Sequence, residues 1–270
     1  MTYFGFLALF LGIPLVLLII ITWYDHYKNR KLPQTLQAGS PWVAIPALII
    51  IAVVYTTPWD NYLVATNVWW YDPALVTGIV LGWVPIEEYI FFVVQTLVTG
   101  LWLLFLARRL PIQGHPFSPN SKIRWGTTLI TGLIWIVSVA ILVTGWRPGT
   151  YLALELVWAL LPIMLQLAFG ADILWHYRRL VLTTILSTTL YLSFADALAI
   201  GFGTWTIDPV QSLNIFLAGY LPVEEFIFFL LTNTLVTFGL ILILAHESSN
   251  RLPSSLKRRL AQLKTSDNAI

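Results

Sequence analysis

Two short strings in this chain place a proline before adjacent glutamates: Pro85-Ile86-Glu87-Glu88 and Pro222-Val223-Glu224-Glu225. Aromatics follow each one, Tyr89, Phe91 and Phe92 in the first and Phe226, Phe228 and Phe229 in the second. Neighbouring residues on a helix point about 100° apart, so one glutamate can face a cavity while the other holds its partner or the helix end. Two carboxyls close together in a low dielectric do not both ionise readily, and one stays protonated. A neutral acid beside a carboxylate is an acid/base pair. Aromatic faces around it stabilise a developing carbocation and offer no nucleophile to trap it. The chemistry these parts suit is protonation of an alkene, with a second base to remove a proton. Plain helix architecture also accounts for a single copy, since proline fits the first turn and carboxylates complement the positive end of the dipole. Two copies, each with paired glutamates and trailing aromatics, favour chemistry.

The elements that must position these groups are membrane helices. The chain has 270 residues, 58% of them hydrophobic and only 10% charged, with a mean hydropathy of +0.78. Soluble domains carry about 25% charged residues. Apolar runs of about 20 residues span a bilayer as helices, and no alternating barrel strands are visible, which leaves helices as the spanning structure. Spans are predicted near 3–23, 42–57, 85–107, 126–145, 151–171, 180–201 and 222–246. The first lacks a basic leader and a small-residue cleavage site and reads as a retained helix.

Charge gives the orientation. Lys28, Arg30, Lys31, Arg108, Arg109, Lys122, Arg124, Arg178, Arg179, Arg251, Lys257, Arg258, Arg259 and Lys264 fall after the first, third, fifth and seventh spans, and Arg147 alone falls on the other side. The positive-inside rule then places the N-terminus outside and the C-terminus in the cytoplasm of a multi-pass cell-membrane protein. The acids go the other way. Asp60, Asp72, Glu87, Glu88, Glu155, Asp196, Asp208, Glu224 and Glu225 map to the outer side or the outer part of a span, whereas His26, His115, His176 and His246 map to the inner boundary. An ionisable group within a span is costly and is by default a functional hypothesis. Glu155 is expected to snorkel, Asp72 and Asp208 to sit in outer turns, and most tryptophans to form an interfacial belt.

Residues 72–99 and 208–237 match each other. Asp72-Pro73 pairs with Asp208-Pro209, Gly82 with Gly219, and the first Pro-x-Glu-Glu with the second; Asp60 stands as far before its Asp-Pro as Asp196 does. The reading is a duplicated three-helix unit. The expected fold is an all-α membrane protein of seven transmembrane helices, as two parallel three-helix repeats joined by a linking helix. The units are residues 1–110, a loop and linking helix at 111–149, the second repeat at 150–246, and a basic cytoplasmic tail at 247–270. Because the linking helix restores orientation, the two repeats are related by an axis along the membrane normal, and both motifs reach one depth on one side.

Other chemistries lack their parts. There is no cysteine, which removes disulfides, thiolate metal sites and thiol nucleophiles. Gly201-Phe202-Gly203 continues without a third glycine, so a dinucleotide site is unsupported. No P-loop, HExxH or Asp-rich diphosphate motif occurs, and no metal or cofactor is expected. No lysine lies inside a predicted span, which removes a retinal-type Schiff base. A formal net charge of +2 implies no nucleic-acid partner.

On these residues the chain resembles the lycopene cyclase-domain family, the small membrane type of carotenoid cyclase. The resemblance is carried by Pro58-Trp59-Asp60-Asn61, Trp69-Trp70, Gly82, and both Pro-x-Glu-Glu-x-x-Phe-Phe motifs, and it covers nearly the whole chain in the fused two-domain form. It implies cyclisation of the ψ-ends of lycopene to β-ionone rings without net redox change, with Glu87 and Glu224, together with Glu88 and Glu225, as acid/base residues. Asp60, Asn61, Asp196, Trp69, Trp70, Phe91, Phe92, Phe228 and Phe229 are the residues expected to line the substrate. Lycopene and lipid are the implied partners, and a homo-oligomer or association with other carotenoid enzymes stays open. The second copy departs from the first: Asn61 aligns with Ala197, and no second Trp-Trp occurs. Two rival readings remain. A three-plus-one-plus-three transporter would use the prolines as hinges and the carboxylates to couple protons. A carotenoid hydratase would let water trap the cation.

Overall fold

The computed structural model describes residues 1–111 and 116–251. His115 and the basic tail residues Lys257, Arg258, Arg259 and Lys264 lie outside them. Among the described residues, seven helices are long and apolar enough to cross a membrane, and the chain reads as an integral membrane protein. They are α1 (Tyr3–Tyr27), α2 (Pro41–Ala65), α3 (Ile86–Ala107), α4 (Ser121–Thr144), α5 (Thr150–His176), α6 (Arg178–Gly201) and α7 (Val223–Leu244), with a short α8 (His246–Arg251) after them.

α3 and α7, the two helices that open on the glutamate pairs, form the centre. α3 packs on α1, α2, α6 and α7, and α7 packs on α2, α3, α5 and α6. Their mid-sections are mostly buried, whereas α4 lies outside, packs on α5 and buries only Ser138. α3 and α7 are also tied by polar bonds at mid-length. Gln95 Nε2 donates to Thr232 Oγ1, and Thr99 Oγ1 donates to Asn233 Oδ1, each at 2.8 Å. Such bonds hold helices together where apolar burial gives no drive.

Several predicted ends move. α2 runs on to Ala65 through Pro46 and Pro58, so Asp60 and Asn61 are helical and not in a loop. A proline inside a membrane helix is tolerated when neighbours satisfy the freed backbone. α5 likewise continues past 171, with Gly170 bent at φ −154° and ψ 30°. α4 starts earlier than predicted, which brings Lys122 and Arg124 into its first turn.

At the N-terminal end of the bundle lie short strands that hydropathy did not reveal. β1 (Trp69–Tyr71) pairs antiparallel with β4 (Trp205–Ile207), Trp70 facing Thr206 across the ladder. β2 (Val80–Leu81) and β3 (Val84–Pro85) form a hairpin leading into α3, and β5 (Phe216–Leu217) and β6 (Leu221–Pro222) form one leading into α7. The first turns through Gly82 (φ +72°) and Trp83; the second through Ala218, Gly219 (φ +79°) and Tyr220. Positive φ suits glycine. The extra residue in the second turn accounts for the one-residue slip between the repeated sequences.

Candidate active site

The backbone bonds that set up this end recur in both copies of the repeated sequence. Tyr3 N–H donates to Leu75 C=O and Tyr151 N–H to Gln211 C=O; Asp72 N–H donates to Thr204 C=O and Asp208 N–H to Val68 C=O. The side chains of Asp72 and Asp208 each cap their own turn, accepting from the N–H two residues on at 2.9 and 3.0 Å.

Within each glutamate pair the two members do different work. Glu87 Oε1 accepts the Thr77 N–H at 2.6 Å. Glu224 Oε1 accepts the Leu213 N–H at 2.7 Å and the Ser212 hydroxyl at 3.0 Å. Both therefore pin the loop after the Asp-Pro turn onto the helix start. Glu88 and Glu225 turn inward instead. Glu88 Oε2 accepts the hydroxyls of Tyr3 and, at 3.1 Å, of Tyr71; Glu225 Oε1 accepts the hydroxyl of Tyr151 at 2.7 Å. Tyr71 stands outside the spans, and desolvation together with the adjoining Glu88 carboxyl holds its phenol well above the usual range.

Glu88 and Glu225 face one shared chamber of about 40 Å³, room for about three water molecules. Asp196 is its third carboxyl, and Trp69, Trp205, Phe91, Phe228 and Phe229 are its aromatic walls. Tyr3 and Trp205 ring centres are 5.0 Å apart, and Trp69 meets Tyr151 edge-on at 5.2 Å. Among the described residues, every ion pair forms on Asp25 or Asp172, so no basic side chain pairs with a chamber carboxyl. The chamber is thus acidic and faced with π-systems, suited to giving and taking a proton around a cation held by rings.

An apolar groove of about 170 Å³ runs between α2, α3, α5 and α7 and shares Phe228 with the chamber. Trp59 stacks at 4.5 Å on Trp158 and at 6.0 Å on Phe228, both of which line the groove.

Comparison with known proteins follows the same direction. The chain is 38% identical over 243 residues to a lycopene beta-cyclase of Halobacterium salinarum, covering 89% of this chain and 95% of that one. It is 35% identical over 238 residues to a bifunctional lycopene cyclase/phytoene synthase of Podospora anserina, covering 84% of this chain and 38% of that protein. A protein of the same bifunctional name from Gibberella fujikuroi is 38% identical over 203 residues. The chain belongs to the lycopene cyclase family. No family model matches it, and no solved structure does.

Of the residues expected to act in this lycopene cyclase-family chain, the fold gathers Glu88, Glu225, Asp196, Trp69, Phe91, Phe228 and Phe229 at the chamber. Glu87 and Glu224 do not line it; they are fully buried on the loop side. Asp60 is buried with neither oxygen bonded, yet does not line the chamber. Asn61 braces the first hairpin instead, donating to Thr57 C=O at 2.9 Å and accepting the Trp83 N–H at 2.7 Å. Trp70 points away and is 41% exposed. Phe92 lines the groove.

Tyr3, Tyr71 and Tyr151 escaped the sequence reading. The signal for two of them was present, because Thr2-Tyr3 and Thr150-Tyr151 open the first helix of each copy. Glu155, expected to snorkel, is fully buried with neither oxygen bonded. It occupies the position that Leu7 holds in the first copy.

Proposed function

We propose that the chain carries out the lycopene cyclisation for which its relatives are named, closing the β-ionone ring of carotenoid biosynthesis by proton transfer from and to the glutamates of this chamber, without a cofactor. The observation that carries the reading is that Glu88 and Glu225, one from each copy of the repeated sequence, face a single aromatic-walled chamber, with no cation among the described residues paired to either.

The steps balance. A carboxylic acid O–H bond breaks as its proton adds to the terminal alkene of a lycopene ψ-end, leaving a tertiary cation. The π electrons of the next alkene in the ring-forming segment close a six-membered ring onto that cation. A C–H bond beside the new cation then breaks, its electrons restore a double bond, and its proton passes to the second carboxylate. The product is isomeric with the substrate. Glu88 already accepts two phenol hydrogen bonds and Glu225 one. Donors to a carboxylate favour its charged form, so Glu88 is the one that rests ionised, ready to take a proton, and Glu225 the one that rests protonated, ready to give one. The rings of Trp69, Trp205, Phe91, Phe228 and Phe229 stabilise the passing cation. The polyene lies along the apolar groove, and its end reaches the chamber past Phe228, which the two cavities share.

The recurring bonds of the two copies support units at residues 1–110 and 150–246, related by an axis along the membrane normal and joined by 111–149. The basic loops at the opposite end support an N-terminus outside and a C-terminus in the cytoplasm. Lycopene and lipid are the partners this arrangement needs.

Expression in a lycopene-accumulating host tests the reading. Accumulation of γ- or β-carotene, isomeric with lycopene by mass, is the expected result. Unchanged lycopene sinks it, and a product heavier by water shows that the cation is hydrated and not closed.

A further inference from the structure

Ring closure as described leaves the enzyme out of balance. Glu225 has lost a proton and Glu88 has gained one, although the overall reaction neither consumes nor releases any. A second turnover requires Glu88 to give up that proton and Glu225 to regain one, and the shared chamber offers a path from one to the other. The three chamber tyrosines are each already committed as donors, Tyr3 and Tyr71 to Glu88 and Tyr151 to Glu225. Asp196 is the third carboxyl on the chamber wall. It is 1% exposed, has one oxygen with no hydrogen-bond partner, and lies within electrostatic reach of both Glu88 and Glu225. Its counterpart in the first copy, Asp60, does not line the chamber. Among the described residues, Asp196 is thus the one carboxyl besides Glu88 and Glu225 that lines the chamber.

We propose that Asp196 returns the proton from Glu88 to Glu225 after each ring closure, a relay for turnover and not a group that acts on the substrate. The inference rests on the acid/base reading of Glu88 and Glu225 given above. The return is balanced: an Asp196 oxygen takes the proton that leaves Glu88, and the carboxyl passes a proton to Glu225, so Asp196 ends as it began.

A relay and a substrate-contacting group differ in which turnover they limit. The full chain in lipid vesicles, in excess over lycopene, reports the first ring closure; with lycopene in excess it reports steady turnover. Asp196→Asn is expected to slow steady turnover about 100-fold, the scale of a lost proton-transfer group, and to slow it far more than it slows the first closure. Asp196→Glu, which keeps a carboxyl, restores most of the steady rate. Equal loss in both phases overturns the relay, and so does an undiminished steady rate. A measurement on the wild type needs no variant to fold. After equilibration in D₂O, the first ring takes one deuterium, and later rings take less than one because the returned proton came from substrate. One full deuterium in every ring overturns the internal return. Wild-type first closure in both Glu88→Gln and Glu225→Gln defeats the acid/base reading itself, whatever Asp196 does.

Discussion

The two ends of this bundle treat buried carboxyls in opposite ways. At the end that carries the C-terminus of α1, Asp25 is fully matched: Arg109 binds both its oxygens at 2.7 and 2.8 Å, with Arg108 at 3.6 Å and Arg30 at 3.7 Å. Asp172 at the same end takes Arg251 at 2.6 and 2.8 Å and the Asn120 N–H at 2.8 Å. At the N-terminal end, Glu88, Glu225 and Asp196 face phenols, rings and one another. A buried charge with a bidentate arginine is a structural clamp. A buried carboxyl without a cation is a poor way to hold a fold together, and its presence in a cavity marks a place where protons move. On the proposed reading, the same side-chain chemistry serves architecture at one end and reaction at the other.

The sharpest way to break this comparison is to remove acidity without changing shape. Glu88→Gln and Glu225→Gln are each expected to lower turnover by about 10²–10⁴-fold, with membrane insertion and thermal stability close to wild type. Glu87→Gln keeps an oxygen able to accept the Thr77 N–H, so it is expected to lose about 1 kcal/mol of stability and little of its turnover. Equal losses at Glu87 and Glu88, measured as product formed per folded molecule, contradict the division of labour within each pair.

The reverse pattern is expected at the other end. Asp25→Asn leaves Arg108, whose side chain is 9% exposed, beside Arg109 without a counter-charge. A broken buried pair of this kind destabilises by about 3 kcal/mol. Thermal melting in detergent should show that loss, while turnover per folded molecule stays near wild type. A stable Asp25→Asn variant with reduced turnover couples the two ends and ends the contrast.

How much of this was legible in the sequence follows from what each signal depends on. The seven helices and the glutamate pairs were readable because hydropathy and a repeated motif are local properties of the chain. The extension of α2 through Pro58 was not, since proline stops a helix in water and is absorbed in a packed membrane bundle. The β1–β4 ladder joins segments 136 residues apart in the repeat, and nothing local in Trp69-Trp70-Tyr71 or Trp205-Thr206-Ile207 announces that pairing. Which glutamate of each pair faces inward depends on where the loops at Thr77 and Leu213 come to rest, a tertiary fact. Tyr3 and Tyr151 lie 85 and 74 residues from the glutamates they serve, whereas Tyr71 lies 17 from Glu88. Only comparing the starts of the two copies, Thr2-Tyr3 against Thr150-Tyr151, would have found two of them.

The smallest expected effect tests the contrast between the halves of the chamber itself. Tyr71 gives Glu88 a second donor, and the matching position in the other copy is Ile207, which gives Glu225 none. Tyr71→Phe removes that donor and leaves Glu88 with a single phenol, as Glu225 has. The loss of one hydrogen bond to a carboxylate is about 1.5 kcal/mol, or about tenfold in kcat, with KM expected to stay unchanged. The phenol of Tyr71 is raised well above its usual range, so it stays protonated and donating through neutral and mildly alkaline pH. The ratio of wild-type to Tyr71→Phe rates is therefore expected to be flat across that range. A ratio that collapses toward one as pH rises means the phenol ionises there, which would place Tyr71 among the groups that exchange protons and not among those that steady the base.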